Sequence, residues 1–239
     1  MKKALMLIVF LFLVSGCGIL NNDTNSQEEL NDEVVEVENG EEDRESYKEA
    51  VRNMVELESY KMDMVINHNI RGESSSYKTI QYVDLKIPAM RSFVEGDFRH
   101  ADPEMREELE LLAEFDSYFQ ECDNFNCMIR FEYDGQHADV DMDMLDDKDI
   151  NPILLFELDE FFDECETLNS RNICNFEKDV REVNRELNIT IDKEEYAIVV
   201  EDGYVAKFII KGYSRDNHIY TLAAEVSRMN DVNLKSIRN

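Results

Sequence analysis

The strongest constraint on the fold is the alternation of two kinds of side chain between Tyr60 and Arg71. A period of two places alternate side chains on opposite faces of a β-strand. The mostly apolar set comprises Tyr60, Met62, Met64, Ile66, His68 and Ile70. The sequence therefore predicts a long strand that belongs to a sheet with one buried face.

The segments on either side of this strand extend the pattern. Ser46 to Glu49 has the form of a capping box and predicts a helix that ends near Ser59. Gly72 and the serines at 74–76 predict a turn, followed by strands over 77–87 and 91–98. The N-terminal part of the domain is therefore predicted to be a helix followed by an antiparallel meander.

The remainder of the chain is predicted to mix helices and strands. Asp102-Pro103 predicts the start of a helix with an apolar stripe at Met105, Leu109, Leu112, Phe115 and Phe119. Asp134-Gly135 predicts a hairpin turn between strands 129–133 and 136–144. Further helices are predicted over 153–165 and 176–187, and C-terminal strands over 189–200, 204–213 and 218–229.

The charge balance restricts the possible partners. The 239 residues include 54 acidic and 25 basic side chains, which give a net charge of -29. Such a field repels nucleic acid and anionic lipid headgroups, so neither is an expected partner of the protein surface. Hydrophobic residues make up 43%, which is enough for one domain with its own core.

The N-terminus has the three parts of an export signal. Lys2-Lys3 precedes an apolar run from Ala4 to Val14, which is too short for a permanent transmembrane helix. The segment ends in Leu13-Val14-Ser15-Gly16-Cys17 and resembles the lipobox of prokaryotic lipoproteins. The resemblance implies cleavage after residue 16 and lipidation of Cys17; the alternative is a plain secretory signal with an unrelated cysteine.

The three resulting segments have different compositions. Residues 1–16 form the signal peptide, 17–43 an acidic flexible tether, and 44–239 one α+β domain. The tether would place the domain about 25–30 Å from the membrane. We therefore expect a lipid-anchored protein on the extracytoplasmic face of the cell membrane. Asn22 and Asn188 match the N-glycosylation sequon.

The cysteines agree with export. Once Cys17 is assigned to lipid, four remain in a compartment that permits disulfides. Of the three possible pairings, we favour the local one, Cys122 with Cys127 and Cys165 with Cys174. The spacings do not match zinc-binding motifs.

No motif indicates catalysis, a cofactor or a metal. The four histidines lack metal-ligand spacing, and the chain has no nucleophile elbow or phosphate loop. Asp139, Asp141 and Asp143 have the spacing of the first ligands of an EF-hand, but positions 6 and 12 are Met144 and Ile150. A strand whose aspartates face solvent explains the same alternation. Because none of these motifs is present, we expect no enzyme activity and no cofactor.

Methionines on the apolar faces of two predicted strands suggest a ligand-binding surface. Methionine is flexible and polarizable, so such a face can adapt to irregular apolar ligands. The candidate binding residues are Tyr60, Met62, Met64, Ile66, Val140, Met142 and Met144. The alternative is that these side chains only fill gaps in a core covered by helices.

The order of these features resembles the LolA/LppX-type lipoproteins. The resemblance rests on a capped helix that runs through Ser59-Tyr60-Lys61-Met62-Asp63-Met64 into a long strand behind a lipobox. It implies a curved antiparallel sheet, a half-barrel, with helices on its concave side that hold lipid acyl chains. The four cysteines and the helix over 102–121, which could plug the cavity, depart from that pattern.

Two functions follow as expectations. The first is a membrane-anchored lipoprotein that binds or shields a hydrophobic, lipid-like ligand, without an assigned protein partner. The second is a structural or protein-interaction lipoprotein with a filled core. A weaker third possibility is a surface protein that binds cations with low affinity.

Overall fold

A computed structural model describes residues 46–123, 126–143, 151–166, 168–169, 171–184, 189–215 and 217–238. The signal peptide, Cys17, the tether, Asn22, Asn188 and Met144 lie outside this set. Within the described residues, ten strands form one open, curved antiparallel sheet with two α-helices. The predicted α+β half-barrel class is therefore confirmed.

The helices and strands follow the chain in a simple order. Helix α1 spans Tyr47–Val55 and helix α2 spans Pro103–Leu112. The strands are β1 (Ser59–Ile70), β2 (Glu73–Asp84), β3 (Ala89–Gly96), β4 (Ser117–Cys122), β5 (Asn126–Tyr133), β6 (Gln136–Asp143), β7 (Ile173–Asn184), β8 (Ile189–Glu201), β9 (Tyr204–Ser214) and β10 (Asn217–Ser227). Two 3₁₀ helices, Pro152–Phe156 and Leu158–Phe161, lie between β6 and β7.

The strand order places β1 in the middle of the sheet. The order is β6-β5-β4-β3-β2-β1-β10-β9-β8-β7, so β1 pairs with β2 on one side and β10 on the other. The alternating set that starts at Tyr60 faces the core, and its partners on β2 do too, because opposite residues share a face. We call this face of the sheet the inner face.

Most local predictions are confirmed. Helix α1 starts after Ser46, although the Ser46 side chain makes no capping hydrogen bond. Strands β1, β2 and β3, the hairpin at Asp134-Gly135 and the three C-terminal strands lie where the patterns predict them. These elements are determined by short-range periodicity and turn residues, which is why the sequence identifies them.

The long helix predicted over 102–121 is wrong in its second half. Helix α2 ends at Leu112, and Phe119 lies on β4 instead of the helical stripe. All six residues of β4 are buried, and Phe119 pairs with Arg130 of β5. Pairing with β5 therefore takes precedence over the helical spacing.

The predicted helix over 176–187 is also wrong, because the described part of this segment is strand β7. Spacings of three and four residues fit Phe176, Val180 and Val183, but a period of two fits Cys174, Phe176 and Val180 equally well. The ring of Phe176 lies flat on that of Tyr196 in β8, with 4.7 Å between centroids. Pairing with β8 selects the strand.

The segment predicted as a helix from Ile153 to Cys165 instead contains the two 3₁₀ helices. Glu157 separates them with a left-handed backbone conformation, at a φ of 43°. A residue in that conformation ends one helical segment and redirects the chain. This irregular segment forms one wall of the candidate site.

The C-terminal residues after β10 run along one end of the sheet. The Val232 amide donates to Ser59 Oγ at 3.1 Å, and the Leu234 amide donates to Asp84 Oδ2 at 3.1 Å. Further on, the Ile237 amide donates to Glu121 Oε2 at 2.7 Å. These bonds satisfy buried carboxylates at the ends of β2 and β4, an arrangement that no local sequence pattern predicts.

Candidate functional site

A strap, defined as residues 151–165, lies on the inner face and is held by two buried tyrosines. The Tyr60 hydroxyl donates to Asn151 Oδ1, and the Tyr47 hydroxyl donates to the Leu158 carbonyl oxygen, both at 2.7 Å. Burial raises the pKa of both tyrosines, so they remain neutral hydrogen-bond donors. The strap is therefore attached to α1 at one point and to β1 at another.

An aromatic cluster and a disulfide hold the other end of the strap. The Phe161 ring centroid lies 5.2 Å from that of Tyr196 and 6.0 Å from that of Phe208. Cys165 is bonded to Cys174 of β7. The second disulfide, between Cys122 and Cys127, lies across β4 and β5, so the predicted local pairing is confirmed.

A groove with a volume of about 490 Å³ lies between α1 and the strap. This volume falls within the usual range for small-molecule sites, about 300–1,000 Å³. Its apolar lining comes from both walls and comprises Val51, Met54, Val55, Ile153, Leu154, Leu158 and Phe162. Val55 is 55% exposed, so the apolar surface continues to the outside of the molecule.

The charged residues at this groove balance one another. Lys48 and Arg52 lie on α1, and Glu56 and Asp159 complete the charged lining. The Lys48 ammonium lies 5.5 Å from the centroid of the Phe162 ring, within the range of a cation–π contact. In a chain with a net charge of -29, this opening therefore has no excess of negative charge.

The residues predicted to bind a ligand lie elsewhere. Tyr60, Met62, Met64 and Ile66 are at most 8% exposed within the core cluster and do not line the groove. Val140 is half-buried against the same core, and Met142 lies on β6. The sequence does not reveal the groove, because no local pattern distinguishes apolar residues of a helix that line a groove, such as Val51 and Met54, from those that only face the core.

A buried polar cluster lies at the far end of β1. Ser75 Oγ is 3.2 Å from His68 Nδ1 and 3.1 Å from His100 Nδ1. One serine hydroxyl can donate to only one of the two rings, so the other ring must donate its own Nδ1 proton. Burial lowers the pKa of His68 to about 3 and also lowers that of His100.

We expect the stability of the protein to fall in mild acid because of His68. The folded protein keeps His68 neutral down to about pH 3, whereas the unfolded pKa is 6.5, so the unfolded state binds more protons between these values. The free energy of unfolding should therefore fall by up to about 1.4 kcal/mol per pH unit below 6.5. Urea denaturation at about pH 7.5 and about pH 5.5 measures this slope.

A variant without the titrating ring isolates this contribution. His68→Asn retains a polar side chain that can bond to Ser75 but cannot take up a proton in this range. The variant should lose less stability than the wild type between the two pH values. An equal loss in both proteins would show that other groups cause the acid sensitivity.

A buried carboxylate is hydrogen-bonded to Tyr220, the residue of β10 that pairs with His68 of β1. Glu194 is 6% exposed and accepts hydrogen bonds from the Tyr196 and Tyr220 hydroxyls. Gly212 pairs with both Glu194 and Tyr220 in the sheet register. Because Gly212 has no side chain, the Tyr220 ring can occupy the space over β9 and reach Glu194.

The stretch that resembles an EF-hand forms the edge strand β6. Asp139 accepts two hydrogen bonds from the Arg130 guanidinium, at 2.7 and 2.8 Å, and lies in solvent. The strand itself is therefore confirmed, with Asp139 and Asp141 exposed. Among the described residues, the structure brings together no group of three side chains that could hold a metal ion.

A second cavity of about 380 Å³ lies mainly on the opposite face of the sheet, over β7, β8 and β9. Glu177, Glu195 and Lys211 contribute charged side chains to it. Its lining is less apolar than that of the groove beside α1, so it is the weaker candidate for a hydrophobic ligand. Neither described α-helix is long and apolar enough to cross a membrane.

Comparisons with known proteins give little further information. No protein-family model and no curated protein sequence matches the chain. A DUF1329 family protein from Desulfovibrio piger has a similar structure over 79% of this chain and 93% of its own, with 10% sequence identity and a TM-score of 0.24. A similarity this distant does not establish a shared function.

Proposed function

We propose that this protein is a lipid-anchored, extracytoplasmic lipoprotein that binds a hydrophobic, lipid-like ligand. The observation that carries the proposal is the groove of about 490 Å³ between α1 and the strap, with its mainly apolar lining. Burial of an acyl chain there would contribute about 0.8 kcal/mol for each methylene removed from water. The balanced charges at the opening impose no electrostatic barrier to an amphiphile.

The anchor is the second part of the proposal and rests on the sequence around Cys17. The acidic surface offers no electrostatic attraction to anionic lipids, so membrane attachment must come from the lipid itself. Labelled palmitate fed to the expressing cells should be incorporated into the wild-type chain and absent from Cys17→Ala. Equal labelling of both chains, or of neither, would contradict the anchor.

Filling the groove tests the ligand-binding part. Val55→Trp places a large ring at the exposed edge of the groove and should weaken binding of dansylaminoundecanoic acid by about tenfold, which corresponds to about 1.4 kcal/mol. Leu111→Trp is the matched control, because Leu111 is also an exposed apolar residue on a helix but does not line the groove. Fluorescence titration measures both affinities.

The outcomes of this titration separate the two functions. Loss of affinity in Val55→Trp together with unchanged affinity in Leu111→Trp would support the groove. Absence of saturable binding by the wild type would exclude it.

A structural or protein-interaction lipoprotein is the second candidate function. It is favoured by the burial of Tyr60, Met62 and Met64, which are at most 4% exposed within the core. A filled core predicts no ligand-induced gain in melting temperature, because a ligand stabilises a protein only if it binds the folded state. Thermal denaturation with and without the dansyl probe distinguishes the two candidates.

A further inference from the structure

Four adjacent polar side chains on the inner face form an inner polar patch, defined as Thr79, Gln81, Ser92 and Gln120. Each is at most 3% exposed. Gln81 lies directly opposite Ser92 across β2 and β3, and Gln120 lies opposite Met90, two residues before Ser92 on β3. Directly opposite and diagonal positions are about 5 and about 7–8 Å apart, so the four side chains form one surface.

The patch has hydrogen-bonding capacity that the fold does not use. Thr79 Oγ1, Gln81 Oε1 and Gln120 Oε1 have no hydrogen-bond partner among the described residues. Ser92 Oγ also lacks a partner of good geometry. It lies near the Tyr118 hydroxyl: burial raises the pKa of Tyr118 to about 12, and Ser92 offsets part of that rise. A buried polar group without a partner reduces stability, and native proteins contain few of them.

Helix α2 contacts β3, the strand that carries Ser92 of the patch, and the buried side chains among its described residues are the apolar Met105, Leu109 and Leu112. Phe115, just after the helix, packs on Phe131 of β5 with 4.8 Å between ring centroids. The Arg106 guanidinium donates through Nη2 to the Ala101 carbonyl oxygen at 3.2 Å, and its Nε has no partner among the described residues.

We infer that the inner polar patch is a binding site for the neutral, hydroxyl-bearing polar group of an amphiphilic ligand, reached when α2 moves away from β3. The unused atoms are two amide carbonyl oxygens and two hydroxyls. A ligand hydroxyl can donate to the two carbonyl oxygens and also accept from the two hydroxyls. An ionised carboxylate or phosphate oxygen can only accept, so it could pair with the hydroxyls but would be repelled by the carbonyl oxygens. The inference rests on the proposed function and adds the polar chemistry of the ligand.

The test compares two probes with the same acyl chain, 1-monopalmitoylglycerol and palmitate. Each competes with dansylaminoundecanoic acid on the wild type and on the double variant Thr79→Val/Gln81→Leu. The variant should bind 1-monopalmitoylglycerol about tenfold more weakly and palmitate with less than about a twofold change, as expected for lost hydrogen bonds. The wild type should prefer 1-monopalmitoylglycerol.

The ligand-free melting temperature gives an independent readout with the opposite sign. Apolar replacements remove buried groups that lack partners, so the double variant should melt about 2–4 °C higher than the wild type. Thr79→Ser is the control, because it keeps the hydroxyl and should keep the preference for 1-monopalmitoylglycerol. A lower melting temperature in the double variant would show that the polar groups already stabilise the fold and would overturn the inference.

The remaining outcomes are also decisive. If palmitate binds but 1-monopalmitoylglycerol is not preferred, or if the double variant keeps that preference, the inference fails while the proposed function stands. If the dansyl probe binds but neither acyl probe competes, the inference fails while the proposed function stands. If the dansyl probe itself does not bind, both the proposed function and the inference fail.

Discussion

Replacement of Gly212 by alanine is expected to lower the free energy of unfolding by about 3–5 kcal/mol. The new Cβ atom would lie 1.9 Å from Cε1 and 2.1 Å from Cδ1 of Tyr220, far inside van der Waals contact. Tyr220 is 1% exposed, and its hydroxyl donates to the buried carboxylate of Glu194. The ring cannot move aside without leaving Glu194 with one donor fewer.

The estimate combines two costs. Overpacking a well-packed core costs about 1–3 kcal/mol, and the loss of a hydrogen bond to a buried charged group costs about 1.5–3 kcal/mol. Urea denaturation of Gly212→Ala, Tyr220→Ala and the double variant gives a complete cycle. Alanine at 212 should cost little once Tyr220 is truncated; additive losses would show that the ring is not the cause.

Removal of the Cys165–Cys174 disulfide is expected to reduce both stability and ligand affinity. The bond closes a loop with a sequence separation of 9 residues, and the loss of that constraint on the unfolded chain costs about 2–3 kcal/mol. The bond also holds the end of the strap that forms one wall of the groove. Cys165→Ala/Cys174→Ala should therefore bind dansylaminoundecanoic acid about fivefold more weakly, since a less ordered wall must be ordered on binding.

The second disulfide provides the matched control. Cys122 and Cys127 close a loop with a sequence separation of 5 across β4 and β5, in the other half of the strand order, and they do not line the groove. Cys122→Ala/Cys127→Ala should lose about 2 kcal/mol of stability and retain the affinity of the wild type. Urea denaturation and fluorescence titration measure the two effects. Equal loss of affinity in both variants would point to general destabilisation.

The contrast between β1 and β7 shows how far local patterns extend. In β1, the apolar side chains recur mainly with a period of two, with Val65 as the exception, so a strand is the regular structure that buries most of them on one face. In β7, Phe176 and Val180 fit both a strand and a helix, and the stacking on Tyr196 settles the choice. That contact depends on β8, which the local sequence of β7 does not specify.

The predicted binding residues show the same limit at the level of function. The alternation correctly places Met62 and Met64 on the inner face of the sheet. It does not say what covers that face, because the position of the strap depends on side chains distant in sequence, Tyr47 and Tyr60. The groove therefore opens beside α1 instead of over the methionines.

Local periodicity and turn residues predict the meander through β1, β2 and β3, and the short cysteine spacings favour the local disulfide pairing, because both depend on residues close together in the chain. The half-barrel class is implied only by the resemblance to the LolA/LppX-type lipoproteins. The tertiary structure alone decided the strand identity of β4 and β7, the irregular strap, the groove and the inner polar patch. Burial and hydrogen-bond satisfaction at these places depend on partners from other strands and helices, which the local sequence does not specify.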